Sequence, residues 1–144
     1  VESGPEPVEI LLVEDNPGDV RLTQEAFREG KIENNLTVMG DGEAAMEMLL
    51  GRVARKEPKP GLILLDLNLP RKDGRQVLAE LKGNPQLRLI PVIVLTSSAA
   101  ERDVIESYER NVNAYVTKPI DIDEFLAAIR ALEGFWLTVV RLPA

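Results

Sequence analysis

Residues 61–74 read GLILLDLNLPRKDG. Four apolar residues, 62–65, stand between a glycine and an aspartate, and the chain beyond Asp66 turns polar with Pro70 and Gly74. A continuous apolar run this short, bounded by turn residues, has the length of a strand buried on both faces, as in a parallel sheet. The same signature recurs at 10–13 (ILLV) and 92–95 (VIVL), with weaker versions at 36–39 (LTVM) and 114–116 (AYV). Between these runs the apolar spacing is helical, over about 17–29, 43–50, 75–82, 100–109 and 122–132. Strand then helix, repeated through the chain, predicts right-handed crossovers and an α/β fold: a doubly wound, five-stranded parallel sheet with five helices.

Local chemistry marks several helix starts. Asn16 can cap a helix whose first position is Pro17, and Asp121 with Glu124 resembles a capping box. Phe125, Leu126, Ile129 and Leu132 recur at helical spacing and read as the face of the last helix that packs on the sheet. Residues 51–60 (GRVARKEPKP) read as an unusually long, basic, Pro-containing connection, and a solvated loop is the expected role.

The chain has 144 residues, the size of one ordinary domain, with a core expected over 8–132 and an apolar tail over 133–144. Acidic residues number 24 against 17 basic, a net charge of −7, which repels a nucleic-acid backbone. No apolar run approaches the roughly 20 residues needed to span a bilayer, and VESGPEPVEI lacks the pattern of a signal peptide, so a cytoplasmic location is expected. There is no Cys and no His. Disulfides, the usual zinc sites and Ser-His-Asp triads are thereby excluded, and the chain cannot itself be a phosphohistidine donor.

Polar, reactive residues stand at the strand ends: Glu14 and Asp15 after the first, Asp66 at the end of the third, Thr96 after the fourth, Lys118 shortly after the fifth. Parallel strands point the same way, so these residues are expected to converge on the carboxyl edge of the sheet, where doubly wound folds bind ligands. Carboxylates crowded there repel one another unless a cation lies among them, and Mg²⁺ suits an oxygen donor set that leaves room for water and a phosphoryl oxygen. With the cation and Lys118 nearby, Asp66 stays ionised and can attack phosphorus, giving an aspartyl phosphate. Thr96 would donate its hydroxyl to one phosphoryl oxygen and Lys118 would pair with another, with small Ser97 leaving room. Taken singly, each residue has an ordinary alternative as a turn, cap or surface residue; their joint placement at one edge is what carries the reading.

EDNPGD after the first strand, DLNLPRKDG around Asp66, LTSS after the fourth strand and AYVTKP after the fifth resemble the receiver domains of two-component response regulators, over about residues 8–132. The resemblance implies a flavodoxin-like strand order of 2-1-3-4-5. It implies Asp66 as phosphoacceptor, with Mg²⁺ held by Glu14, Asp15, Asp66 and the backbone carbonyl of Asn68. It further implies Thr96 and Lys118 as the phosphate-sensing pair, and a cis bond between Lys118 and Pro119. Tyr115 stands where the family has a switch aromatic; a plain sheet aromatic is the alternative. Asn68 and Ser98 occupy positions that tune phosphate lifetime in the family.

The expected function is therefore to receive phosphoryl from a sensor histidine kinase and to signal to a downstream protein through a population shift at the fourth helix, fifth strand and fifth helix. Only weak self-phosphorylation and self-dephosphorylation are expected, and no separate substrate. The 51–60 connection, NPGDVRL and FWLTVVRLP narrow the resemblance to the small regulators that serve phytochrome kinases. Aspartate-nucleophile phosphatases resembling the haloacid dehalogenases carry DxDxT, whereas LNLP comes after Asp66 here. A flavin site would want a glycine- and hydroxyl-rich loop where this chain has EDNPGD. The apolar stretch 135–140, with the single Trp, suggests either a fold-back or a homodimer contact.

Overall fold

The computed structural model describes residues 8–109 and 111–132. Strands and helices alternate as β1 (Val8–Val13), α1 (Pro17–Glu29), β2 (Asn34–Met39), α2 (Gly42–Arg55), β3 (Leu62–Asp66), α3 (Gly74–Gly83), β4 (Val92–Thr96), α4 (Ala99–Tyr108), β5 (Ala114–Thr117) and α5 (Ile122–Ala131). All strand pairs are parallel, in the order β2-β1-β3-β4-β5. The chain leaves β1 toward one edge and β3 toward the other, so the strand order reverses between these two neighbours. Ligand crevices in such sheets open there.

Alternation along the strands divides the core in two. Ile10, Leu12, Leu62, Leu64, Ile93 and Leu95 face α1 and α5, where Phe27 meets Phe125 edge to face at 5.5 Å between ring centres. Leu11, Val13, Ile63, Leu65, Val92 and Val94 face α2, α3 and α4, with Met46, Leu49, Leu78, Leu81 and Ile105. Strands covered on both sides have no polar face, which is why their sequence reads as unbroken apolar runs.

Helix starts coincide with their caps. Asn16, Asp41, Asp73, Ser98 and Asp121 each accept a backbone N–H three residues on, and Asp73 forms a reciprocal capping box with Gln76. The box expected from Asp121 and Glu124 is realised only as the cap: the Asp121 side chain accepts the Glu124 N–H at 2.9 Å.

The connection expected over 51–60 is corrected by the structure. Helix α2 runs through Gly51 to Arg55, and the true connection begins at Lys56. A helical glycine costs about 1 kcal/mol relative to alanine, but tertiary contacts outweigh it here. Val53 extends the buried stripe of Met46 and Leu49 onto the core, and Arg52 donates to Glu9 Oε1 at 2.6 Å and to the Pro58 carbonyl at 3.2 Å. The helix closes with the Lys56 and Glu57 N–H groups donating to Val53 and Arg52 carbonyls at 3.1 and 2.9 Å, with Lys56 left-handed at φ 58°. Lys31 closes α1 in the same way at φ 56°.

The apolar tail expected over 133–144, with the homodimer contact suggested for it, lies outside the described residues. Among the described residues no helix is long and apolar enough to cross a membrane.

A left-handed conformation costs an L-residue about 1 kcal/mol or more, and glycine nothing comparable. Replacing Lys56 by Gly should therefore stabilise the domain by about 1 kcal/mol, read as a higher urea midpoint at unchanged slope.

Candidate functional site

Glu14 comes directly after β1, Asp66 and Thr96 end β3 and β4, and Lys118 comes one residue after β5. Backbone bonds continue past the strand ends and hold these residues in register. The Glu14 N–H donates to the Met39 carbonyl at 3.0 Å, Leu67 to Leu95 at 3.2 Å, and Lys118 to Thr96 at 2.7 Å. Helix α3 starts against the same edge. A Cβ on Gly74 would lie 2.2 Å from the Asp66 carbonyl oxygen and 2.5 Å from Leu67 Cα, so only glycine allows this approach.

Glu14, Asp15 and Asp66 each offer a carboxylate oxygen, all within 4.8 Å of one another. Glu14 and Asp66 are buried and Asp15 is exposed. Against them stands the ammonium of Lys118, whose Nζ donates to Glu14 Oε2 and Asp66 Oδ2 at 3.1 Å each and contacts Asp19 Oδ2 at 3.0 Å. The other oxygen of Asp66 accepts the Asn68 N–H at 3.0 Å. Glu14 Oε1 lies 2.9 Å from Nζ but makes no directed hydrogen bond. It has Coulomb attraction without a hydrogen-bond donor of its own.

Burial pushes the Glu14 carboxyl up to about 7, the neighbouring Asp66 charge adds to this, and Lys118 opposes both. Burial alone would lower Lys118, but the carboxylates of Glu14, Asp19 and Asp66 outweigh it and hold the ammonium well above its ordinary value. A surplus of hard oxygen donors, one of the buried ones lacking a hydrogen bond, fits a hard divalent cation.

Asp19, on the first turn of α1, is a member of this cluster that the sequence did not reveal. It is also part of the helix cap in that turn, its N–H donating to Asn16 Oδ1 at 3.0 Å. Only the folded chain shows that its carboxylate also reaches Lys118.

Thr96 lies on the other side of the sheet edge. It is wholly buried, and strand alternation gives it the α4 face shared by Val92 and Val94. Its hydroxyl donates to Glu101 Oε1 at 2.6 Å, with the Ser98 carbonyl at 3.1 Å as the weaker acceptor. Glu101 also accepts the Ser97 N–H at 3.3 Å and, through Oε2, Arg75 Nη2 of α3 at 3.0 Å. Burial alone would raise Glu101, but Thr96, Ser97 and Arg75 together hold it below the ordinary carboxylate value. Arg102, the next residue, sits over the half-buried ring of Tyr115 at 4.9 Å. Asn68 reaches Ser97 Oγ at 3.5 Å, and the Lys118–Pro119 bond is cis. Glu101 and Arg75 gave no signal in the sequence, since each looks like an ordinary charged residue in a helical turn.

The family model for the response regulator receiver domain matches residues 10–130. Response regulator Rcp1 of Synechocystis sp. is 51% identical over 144 residues, covering 99% of this chain and 97% of its own. Its Mn²⁺-bound crystal structure superposes with a TM-score of 0.72 at 50% identity, covering 96% of this chain and 100% of that one. The bacteriophytochrome response regulator RtBRR gives a TM-score of 0.81 at 46% identity, over 88% of this chain and 78% of its own. The phosphorylated cyanobacterial phytochrome response regulator RcpA gives 0.72 at 42%, over 96% and 100%.

This geometry makes two outcomes measurable. Gly74→Ala should force α3 away from the end of β3 and cost about 1–3 kcal/mol in urea unfolding, with little recovered by other small residues. A carboxyl lowered in the folded state contributes stability above its ordinary value of 4.5, and that contribution is lost as pH falls through the lowered value. The stability gap between the native chain and Glu101→Gln should thus be full above pH 4.5 and close below it, measured by chemical unfolding across that range.

Proposed function

This chain belongs to the response regulator receiver domain family, and from that premise we propose that Asp66 is its phosphoacceptor, taking phosphoryl from the histidine of a separate sensor kinase. The observation that carries the reading is the buried Asp66 carboxylate at the reversal of strand order, close to Glu14 and Asp15, with one oxygen on Lys118 and the other on the Asn68 N–H. An Asp66 oxygen would form the new bond to phosphorus as the phosphorus–nitrogen bond of the donor breaks, and the departing imidazole keeps the electron pair and is reprotonated by water. These 144 residues contain no His, so the donor histidine lies outside them.

Glu14, Asp15 and Asp66, with the backbone carbonyl of Asn68, are the residues that would hold Mg²⁺. Bound there, the cation supplies positive charge to offset the phosphoryl oxygens. Lys118 would exchange part of its hold on the carboxylates for a phosphoryl oxygen, and its ammonium has donors for several partners. Thr96 would give its hydroxyl to another phosphoryl oxygen, drawing β4 inward. Tyr115 is the proposed follower, since it sits beside Thr96's strand and under Arg102 of α4.

The output surface in this reading is the α4–β5 face, where a groove of about 190 Å³ is lined by Glu106, Glu109, Val112 and Tyr115. To reverse a mostly inactive population, phosphorylation must favour the active state by about 5.5 kcal/mol, within reach of several charge-assisted contacts to one phosphate. The resemblance to phytochrome-associated regulators points to a kinase of that type as donor. We take residues 8–132 as the receiver unit, cytoplasmic like the kinase module it would meet, with slow self-phosphorylation and self-dephosphorylation as its own chemistry. Self-association through 135–140 rests on the apolar sequence there.

Incubation with acetyl phosphate and Mg²⁺ should add one phosphate-sized increment to the intact mass, lost in EDTA and in Asp66→Asn. An equal increment in the mutant would refute Asp66 as acceptor.

A further inference from the structure

Thr96 has one hydroxyl proton, and in this structure that proton is engaged. The bond to Glu101 Oε1 is 2.6 Å, within the range of charge-assisted O–H···O⁻ contacts, and shorter than the 3.1 Å to the Ser98 carbonyl. Glu101 is fixed from three further directions: Arg75 of α3 holds Oε2 at 3.0 Å, the Ser97 N–H reaches Oε1 at 3.3 Å, and the Glu101 N–H is capped by Ser98 Oγ at 3.1 Å. Its side chain is 13% exposed, so solvent screens these contacts only in part.

We propose that Glu101, clamped by Arg75, is a positioning residue that holds the Thr96 hydroxyl on α4 in the resting state, and that phosphoryl oxygens on Asp66 must displace it. The inference rests on Asp66 as phosphoacceptor and Thr96 as phosphate-sensing hydroxyl, and it adds the competitor for Thr96. One hydroxyl cannot donate fully to a carboxylate on α4 and to a phosphoryl oxygen at the end of β3. Release of Thr96 therefore requires Glu101 to move, and Glu101 lies on the first turn of α4 beside Arg102, which covers the Tyr115 ring at 4.9 Å. Adjacent residues of one helical turn thus hold Thr96 and Tyr115, and freeing the first shifts the cover on the second.

Weakening Glu101 as the acceptor of the Thr96 hydroxyl should favour the phosphoryl-bound state. With Mg²⁺ and beryllofluoride as the phosphoryl stand-in, and bound ligand followed by fluorine NMR, Glu101→Gln should bind about ten-fold tighter than the native chain, or about 1.4 kcal/mol. Arg75→Gln, which loosens the clamp from α3, should act in the same direction and less strongly. In a Thr96→Val background Glu101→Gln should change the affinity by less than about two-fold, an outcome a merely structural role would not give. Unchanged affinity in Glu101→Gln, or an equal gain with and without the Thr96 hydroxyl, overturns the proposal. Asp66→Asn separates the two levels: if it binds beryllofluoride as the native chain does, the phosphoacceptor reading fails and this inference with it.

Discussion

Two buried carboxylates and one ammonium, drawn from strand ends far apart in sequence, set the terms for this molecule. Glu14 and Asp66 stand at neighbouring strand ends and share Lys118 with Asp19. Burying like charges this close is costly, and a single cation satisfies them only in part, as the raised Glu14 carboxyl records. The arrangement persists because the surrounding sheet over-determines it. Flanking strands are locked by ladders that continue past Asp66 and as far as Lys118, and α3 presses on the Asp66 backbone at a glycine. An excess of negative charge at this edge would suit a divalent cation, whose charge would offset that of an entering phosphoryl group.

The period of two along the strands gives the site two sides. Glu14 shares its face with Ile10 and Leu12 and meets the first turn of α1 through Lys118 and Asp19. Thr96 shares its face with Val92 and Val94 and meets α4 through Glu101. One sheet edge thus separates the charge cluster from the helix whose position would report on it. The hydroxyl of Thr96 meets Glu101 of α4, and the Arg75–Glu101 pair ties that contact to α3 as well. Helices packed against both faces of a sheet rearrange as units rather than deform, which is the kind of change such a junction would transmit.

Much of this was legible in the residues. Runs such as LILLD and VIVLT carry both the strand signal and, in their last residue, a polar group at the sheet edge, because a buried strand has nowhere to put one except its end. The convergence of Asp66, Glu14 and Lys118 was accordingly expected from position alone. Residues 51–55 were misread because Gly51 is a local signal against helix, while the contacts that override it come from Glu9 and the core. Asp19, Arg75 and Glu101 went unseen for a related reason: on a helix, a charged residue with an ordinary neighbour gives no sign of a partner 26 or more residues away.

Local sequence was enough to dictate the alternation of strands and helices, the caps that start the helices and the identity of the groups gathered at the sheet edge. These depend on periodicity and on hydrogen bonds spanning three or four residues. It took the folded chain to establish that Lys118 is shared with Asp19, that α2 runs on to Arg55, and that the Thr96 hydroxyl is held by Glu101. Those outcomes depend on which strands become neighbours and which face each side chain takes, and the energy of a charge pair is set by a separation that no local pattern encodes.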